Sequence, residues 1–425
     1  MIAADAVYAQ AASLRRQRIL GLVFVAIGVV IVSVLTSDTQ PGQLSTLGLN
    51  TVRSAQLLQL PDIVLPTRTV SWTLGLAVMA MGAWQFWRGF RSTGRWIGVV
   101  STCLVFAFLV WAARGTSFSL IGILTASLQL ATPILLGALS GLLCERAGVV
   151  NIAIEGMMLM AAFTSVIVAN ATGSIWLGLA AALLSGVFLA GVHGILSIQF
   201  KVNQIISGTV INIFATGFTN FLNQRVLQVY QELNTERTFP VVSNLFPSLG
   251  QIPILGPLLF DQGPFVWTGL VLLVVVNVAL FQTRWGLRAR AVGEHPRAAD
   301  TLGIDVYRVR YVNVILGGMV AALGGAYFTL GSVGRFDKLM TGGRGFIALA
   351  AMIFGNWTPT GAFASSLIFG FADALQVKLQ ILINQVSIPS EFLLMLPYIV
   401  TMVVLAGVVG QATPPAADGE PYEKQ

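Results

Sequence analysis

The residues best suited to chemistry in this chain are a few polar side chains set within long apolar runs. The clearest group lies in the stretch Glu145-Arg-Ala-Gly-Val-Val-Asn151-Ile-Ala-Ile-Glu155-Gly. Glu155 follows Asn151 by four residues, so on a helix the two would share one face. A carboxylate in apolar surroundings requires hydrogen-bond donors, a proton or water. Glu155 is therefore either a residue on a solute pathway or a packing residue that accepts backbone N–H bonds at a broken helix end.

A second set of polar residues recurs every four positions, at Asn212, Thr216 and Asn220. That spacing places the three on one face of a helix. The stripe faces either a water-filled cavity or another helix through hydrogen bonds. Gln129 stands near Pro133 in another apolar run, where a proline kink would direct it into a pathway or serve packing alone. Neutral donors and acceptors of this kind suit a polar, uncharged solute better than an ion.

Patterns for catalysis and metal binding are missing from the sequence. The two histidines, His193 and His295, belong to no H-E-x-x-H motif. Cys103 and Cys144 lie in apolar runs, which argues against a disulfide framework and a cysteine-rich metal site. The chain also lacks G-x-x-x-x-G-K-[ST], so it does not hydrolyse ATP through a P-loop. We expect no catalytic residue, metal or cofactor, and the energy for any work must come from an ion gradient or a partner.

The elements that hold these residues are predicted to be membrane-spanning helices. Charged residues make up 10% of the chain and hydrophobic residues 56%, with a mean hydropathy of +0.81; soluble domains carry about 25% charged residues. Since about 20 apolar residues cross a bilayer, the length predicts an all-α polytopic transmembrane helix bundle of roughly 10–12 spans. The predicted spans are 19–36, 70–87, 96–113, 118–143, 149–169, 175–198, 204–222, 265–282, 311–330, 346–357, 359–378 and 391–410. Of these, 149–169 and 346–357 are candidates for re-entrant or broken helices.

A faint internal likeness joins two of these segments. Gly148-Val-Val-Asn-Ile-Ala-Ile-Glu-Gly-Met-Met matches Gly343-Arg-Gly-Phe-Ile-Ala-Leu-Ala-Ala-Met-Ile, and each follows a polar break. The match indicates two related halves, an arrangement that many transporters have.

The longest charged interruption runs from Arg284 to Arg310 and contains six arginines. Each would cost about 2.5–3.5 kcal/mol at a bilayer centre, so the stretch must lie in water. Pro296 suits the first turn of a short helix that Gly303 would end. Basic residues concentrate on the same side as this stretch, which predicts that it and both termini are cytoplasmic. Topology thus accounts for the net charge of +7, and nucleic-acid binding is not expected.

Three segments carry a resemblance to a known family. They are Gly141-Leu-Leu-Cys-Glu-Arg-Ala-Gly-Val-Val-Asn-Ile-Ala-Ile-Glu-Gly-Met-Met-Leu159, Val292-Gly-Glu-His-Pro-Arg-Ala-Ala-Asp-Thr-Leu-Gly-Ile304 and Met340-Thr-Gly-Gly-Arg-Gly-Phe-Ile-Ala-Leu-Ala-Ala-Met-Ile-Phe-Gly-Asn-Trp357. In this order they resemble the permease subunits of bacterial ABC importers for nucleosides and simple sugars, within the ribose and branched-chain amino acid permease superfamily. The likeness covers roughly residues 118–410, and it is closest to the nucleoside branch.

The resemblance implies an organisation and a set of partners. It implies an ABC permease core at residues 115–410, preceded by extra transmembrane helices at 1–114. The tail at 411–425, with two prolines followed by charged residues, is expected to be disordered in the cytoplasm. The implied partners are a cytoplasmic ABC ATPase, a second homologous permease subunit in a heterodimer, and an extracytoplasmic substrate-binding lipoprotein. The chain would be a multi-pass protein of the bacterial cell membrane, embedded in the lipid bilayer.

The resemblance also implies a coupling helix that docks on the ATPase. The matching residues are Glu294, His295, Pro296, Arg297, Ala298, Ala299, Asp300, Leu302 and Gly303. The residues themselves, and not the resemblance, give the pathway candidates Gln129, Asn151, Glu155, Asn212, Thr216 and Asn220. The expected function is a permease subunit that forms the solute pathway of an ATP-driven importer for nucleosides or related simple sugars. The alternative is an ion-coupled secondary transporter of a small polar solute, with Glu155 as its titrating group.

Overall fold

Long apolar helices make up most of the protein. The computed structural model describes residues 2–37, 39–50, 59–382, 395 and 412–424. Within those ranges, nine helices are long and apolar enough to cross a membrane. The prediction of an all-α polytopic bundle is therefore confirmed, while the predicted span 391–410 lies outside the described residues apart from Met395.

The helices are numbered in chain order, and three short strands accompany them. The helices are α1 (Ile2–Ser37), α2 (Thr67–Trp87), α3 (Thr93–Ala112), α4 (Leu120–Glu145), α5 (Ile154–Thr172), α6 (Ile175–Gly194), α7 (Gln204–Leu222), α8 (Val242–Leu245), α9 (Pro247–Gly250), α10 (Pro264–Gln282), α11 (Arg284–Glu294), α12 (Pro296–Thr301), α13 (Val306–Ala326), α14 (Arg344–Phe354) and α15 (Pro359–Leu382). The strands are β1 (Leu44–Gly48), β2 (Ile63–Pro66) and β3 (Ser117–Ser119). Helical turns of the wider π type, Ile195–Gln199 and Tyr327–Val333, continue α6 and α13.

The first three helices form a group that precedes the rest of the bundle. Helices α1 and α2 run antiparallel and approach closely at glycines, as where a Cβ on Gly28 would lie 2.7 Å from the carbonyl oxygen of Gly75. Strand β1 pairs antiparallel with β2 and parallel with β3. The buried Ser45 hydroxyl of β1 donates to the carbonyl oxygen of Val110 in α3 at 2.6 Å. The sheet thus joins this helix group to the beginning of α4, a feature that the sequence did not predict.

The loops lie at two opposite faces of the bundle. One carries the three strands, and we call it the sheet face. Because α4 crosses from β3 to Glu145, the turn after α4 lies at the other face, together with α11, α12 and the residues after α14. This second face holds most of the arginines of the stretch 284–310, and we call it the basic face.

Two helices begin inside the bundle, as predicted for the broken segments. Helix α5 starts at Ile154, five residues into the predicted span 149–169, and α14 is only 11 residues long. Asn151 therefore lies before the helix and does not share a helical face with Glu155, so that prediction was wrong. The Asn151 side chain accepts the backbone N–H of Ala153 at 3.1 Å, a local bond that competes with helix formation.

The C-terminal residues differ from the disordered tail that the sequence led us to expect. Residues 412–424, which we call the C-terminal strap, lie against the basic face. The backbone N–H of Ala417 donates to the carbonyl oxygen of Gly293 at 2.9 Å. Tyr422 is buried against α11, α12 and α13. The strap is ordered by partners more than 100 residues away in sequence, such as Tyr307, at a separation of 115, which its local composition does not specify.

Candidate functional site

The N-termini of α5 and α14 meet inside the bundle, and Glu155 joins them. The Glu155 carboxylate accepts hydrogen bonds from the Thr341 hydroxyl at 2.6 Å, the Gly343 N–H at 2.9 Å and the Gly345 N–H at 2.6 Å. The first N–H groups of a helix have no partner within the helix, and its N-terminus favours negative charge. Glu155 therefore caps α14 from a different helix. We call residues 148–156 and 341–345 the junction.

The junction lies well inside the apolar layer. A Cβ placed on Gly137 of α4 would contact Ala348 at 2.6 Å and Ile154 at 3.4 Å. Gly137 precedes the end of α4 at Glu145 by eight residues, which is about 12 Å along the helix axis. At this depth a carboxylate needs donors, and Glu155 has three. These contacts are the ones expected if Glu155 is a packing residue. A position of Glu155 on a solute pathway stays a hypothesis.

The non-helical segment before α5 has its backbone groups satisfied by side chains of α6 and α7. His193 contacts the Val150 carbonyl oxygen at 2.9 Å, and Gln204 accepts the Val150 N–H at 2.7 Å. Asn212 donates to the carbonyl oxygen of Ile152 at 2.8 Å. Irregular backbone at membrane depth requires such partners. Sequence reasoning missed the roles of His193 and Gln204, although isolated polar residues in apolar runs were the available signal.

Asn212 serves the junction in a second way. Its side-chain oxygen accepts the N–H of Gly156 at 2.7 Å, so both ends of the amide are bonded to the beginning of α5. Asn212, the first residue of the predicted polar stripe, thus faces α5 and not a cavity. Thr216 and Asn220 lie one and two turns further along α7, where both are half-buried. The buried side-chain oxygen of Asn220 has no hydrogen-bond partner among the described residues.

Gln129 lies apart from the other pathway candidates. Its amide donates to the side-chain oxygen of Gln262 at 3.1 Å, and Gln262 donates to the carbonyl oxygen of Pro257 at 3.2 Å. Gln129 precedes Gly137 by eight residues on α4, about 12 Å towards the sheet face. The structure therefore brings together Asn151, Glu155 and Asn212, but it does not bring Gln129 to them.

A short helix stands out from the basic face, at the position predicted for the coupling helix. We call residues 284–305 the coupling turn. Helix α12 begins at Pro296 as predicted and ends at Thr301. Gly303 follows with a φ of +80°, a conformation that favours glycine, and Asp305 caps α13 by accepting the N–H of Arg308 at 3.0 Å. Pro296 and Gly303 thus mark the two ends of α12, and Asp305 marks the beginning of α13.

The residues of the coupling helix divide into an outer and an inner set. Leu302 is 82% exposed, and Arg297 and Ala298 are also exposed. Ala299, by contrast, is 2% exposed and packs within a cluster formed with Val292, Val306 and Tyr422. Ala299, one of the predicted coupling residues, is thus covered by the strap. Leu302, directly after α12, is the large apolar residue exposed on the outer side.

Other predicted coupling residues bind the strap. Glu294 accepts the backbone N–H of Ala416 at 3.1 Å. Burial, as the largest cause, together with the nearby Asp300 carboxyl raises the pKa of Tyr422 to about 12. His295 is exposed. The inner side of the coupling turn is thus held by contacts with the strap, while its outer side is exposed.

Charged groups at the root of the coupling turn are tied to the loop after α14. The Arg146 guanidinium donates to the carbonyl oxygen of Trp357 at 2.6 Å, and the Trp357 indole N–H donates to Glu145 at 2.6 Å. The Asp418 carboxyl of the strap lies against Glu145 and near Arg310. Burial raises the pKa of Asp418 to about 7. Burial therefore favours the protonated form of Asp418 at this face.

Comparison with known proteins agrees with this architecture. Residues 123–405 match the family described as the permease component of the branched-chain amino acid transport system. The chain belongs to this permease family. The match begins in α4, after the helix group α1–α3, and ends before the strap.

The permease is similar to several curated relatives. It is 39% identical to the guanosine ABC transporter permease protein NupQ of Bacillus subtilis, over 71% of this chain and 96% of the relative. It is also 39% identical to the nucleoside ABC transporter permease protein NupC of Lactococcus lactis, over 69% of this chain and 94% of the relative. A putative glucose ABC transporter permease protein, TsgC13 of Haloferax volcanii, is 38% identical over 61% of this chain and 78% of the relative. No solved structure matches the permease.

Proposed function

We propose that this permease forms the solute path of an ATP-driven nucleoside importer and takes its driving force from a separate ATPase. The observation that carries the proposal is the coupling turn. It presents the exposed Leu302 directly after a short helix that is fixed to the chain by the buried Ala299. An apolar side chain held outward on a rigid support is suited to docking in a cleft of another protein. The two relatives of 39% identity are named for guanosine and for nucleosides, which supports nucleosides as the solute class.

The proposed assembly follows from the two faces of the bundle. The basic face lies in the cytoplasm, because arginines concentrate on the cytoplasmic side of membrane proteins, and both termini lie on that side. The ATPase docks there on α12. A second, homologous permease subunit completes the pathway as a heterodimer, and a substrate-binding lipoprotein delivers the solute to the sheet face in the bacterial cell membrane.

In the proposed mechanism the permease makes and breaks no bond. Movement of the docking cleft displaces α12, and the buried contacts of Ala299 pass that displacement to α11 and α13. Gly293 of α11 packs closely on the α4–α5 turn, since a Cβ there would lie 2.4 Å from the carbonyl oxygen of Arg146. The displacement therefore reaches the junction, where α5 and α14 begin. Rigid-body movements of this kind expose a site alternately to the two sides.

Uptake into proteoliposomes tests the proposal. The permease is reconstituted with the proposed ATPase, second permease and lipoprotein, and uptake of labelled guanosine is measured with and without ATP. We expect uptake that needs ATP, persists with an uncoupler and is inhibited by excess uridine but not by excess glucose. Uptake that survives without ATP and collapses with the uncoupler would establish the ion-coupled alternative instead. Inhibition by glucose alone would overturn the solute class.

The docking role of Leu302 has a separate test. Leu302→Glu places a charge on the outer face of α12 and should abolish co-purification of the ATPase and reduce uptake at least tenfold, while the permease still accumulates in the membrane. Leu245→Glu is the matched control, because Leu245 is a comparably exposed leucine in α8 on the other side of the bundle. Equal recovery of the ATPase with the wild type and Leu302→Glu would contradict the docking role.

A further inference from the structure

The C-terminal strap connects the coupling turn to the α4–α5 turn. Its first contact is made by the backbone N–H of Thr413, which donates to the side-chain oxygen of Asn356 at 3.1 Å. The next residues pair with the end of α11, at Glu294 and Gly293. The strap therefore crosses the basic face from the loop after α14 to the root of α12.

The middle of the strap lies where three elements meet. Asp418 faces Glu145 at the end of α4 and Arg310 of α13. The Arg310 guanidinium also donates to the carbonyl oxygen of Glu420 at 2.9 Å. At Gly148, which has a φ of +80°, a Cβ would lie 3.1 Å from the carbonyl oxygen of Ala417 and 3.4 Å from Gly293. The strap thus shares a tightly packed contact with the turn that leads into the junction.

The end of the strap carries an aromatic residue that lies behind the coupling helix. Tyr422 is 5% exposed and packs with Ala299 and Val306, and its ring meets that of Tyr307 edge-on at 5.5 Å. The Tyr307 hydroxyl donates to the Tyr422 carbonyl oxygen at 3.3 Å, and the Asp300 carboxyl lies near the Tyr422 side chain. The ring therefore supports α12 at its buried residue Ala299, while Leu302, directly after the helix, stays exposed.

We propose that the C-terminal strap holds α12 in position and carries its movement to the α4–α5 turn, with Tyr422 as the positioning residue. This inference rests on the proposed function, because it requires an ATPase that acts on α12. A six-residue helix has little stability of its own, so its orientation depends on what packs behind it. With Tyr422 in place, α12 moves together with α11, α13 and the turn at Gly148. Without that ring, α12 can yield to the ATPase while the junction stays still.

The ratio of solute transported to ATP hydrolysed tests the inference. The complete complex is reconstituted with the wild type, Tyr422→Ala or Tyr422→Phe, and guanosine uptake and ATP hydrolysis are measured in the same proteoliposomes. We expect Tyr422→Ala to retain the ATPase subunit and its hydrolysis while the transport ratio falls at least fivefold. Tyr422→Phe keeps the ring and should retain at least half of the wild-type ratio. Lys424→Ala, an exposed change near the end of the same segment, is the control.

The outcomes separate this inference from the proposed function. Wild-type complex without ATP-driven uptake would overturn the proposed function. Wild-type uptake together with an unchanged ratio in Tyr422→Ala would overturn the strap inference alone. If Tyr422→Ala does not accumulate in the membrane, Tyr422→Leu, which keeps an apolar side chain without the ring, carries the same measurement. A ratio for that variant equal to the wild type would again contradict the role of the ring.

Discussion

Replacing Glu155 with glutamine tests whether its carboxylate caps α14 or titrates in a pathway. One carboxylate oxygen accepts from Thr341 and Gly343, and the other accepts from Gly345. Glutamine has nearly the same size but only one acceptor oxygen. The oxygen that serves two donors can be kept, and the amide group then faces the Gly345 N–H, which loses its acceptor.

The expected cost follows from these contacts. A buried donor left without a partner costs about 1–3 kcal/mol. Removing a negative charge from a helix N-terminus costs about 0.3–1 kcal/mol more. We therefore expect Glu155→Gln to lower the free energy of unfolding by about 1–4 kcal/mol. Glu155→Ala should cost more, because it removes the acceptor from all three donors.

The assay is urea unfolding of the permease in detergent, followed by tryptophan fluorescence. Glu232→Gln is the matched control, since Glu232 is exposed in a loop and its change should alter stability by less than about 0.5 kcal/mol. If Glu155→Gln left unfolding unchanged while it abolished uptake, the capping argument would be refuted. Glu155 would then act on the solute or on an ion.

Three further predictions concern the same region and the strap. Gly345→Ala should destabilise the permease by about 1–3 kcal/mol, because the new Cβ would lie 2.6 Å from the Glu155 backbone. Gly217→Ala is the control and should be tolerated, because a Cβ there would meet open space. Urea unfolding of the two variants measures the difference. Asn212→Leu should lower both the free energy of unfolding and uptake, because it removes both hydrogen bonds to the start of α5. Ile213→Leu, at a side chain that is 68% exposed, should change neither. Loss of uptake in Asn212→Leu without loss of stability would contradict this prediction. The pKa of Asp418 is raised to about 7 when the strap is bound to the basic face. The bound strap therefore keeps a proton on Asp418 that a detached strap loses at lower pH. Binding of the strap should accordingly weaken as the pH rises from about 4 towards 7. Protection factors of the strap amides, which correct hydrogen exchange for its base-catalysed intrinsic rate, should therefore be higher at pH 5.5 than at pH 8, and Asp418→Asn, with Glu145 and Arg310 unchanged, should remove most of that difference.

Features set by neighbouring residues could be predicted from the sequence. Pro296 and Gly303 marked the bounds of α12 because proline suits a first helical turn and a positive φ favours glycine. The apolar spans followed from hydropathy because each must cross about the same thickness of lipid. The broken helix ahead of α5 was also indicated, since Glu155 required donors that a continuous span would not offer.

Features set by distant residues could not be predicted. The donors to Glu155 come from residues 186 to 190 positions later in the chain, and no local pattern names them. The sequence placed Ala299 on a small apolar face of the predicted coupling helix, but it did not indicate that Tyr422 covers this residue. The strap itself has the proline-rich, charged composition of a disordered tail. Its order comes from a complementary surface assembled from α4, α11 and α13.

The small sheet has a consequence for how the protein can be divided. Strand β1 follows α1, but it pairs with β3, directly before α4. The α1–α3 group is thus attached to the remainder by backbone hydrogen bonds as well as by the chain itself. A polypeptide cut between α3 and β3 would keep the pairing of β1 with β3, which makes this loop a natural place to express the permease as two complementing fragments.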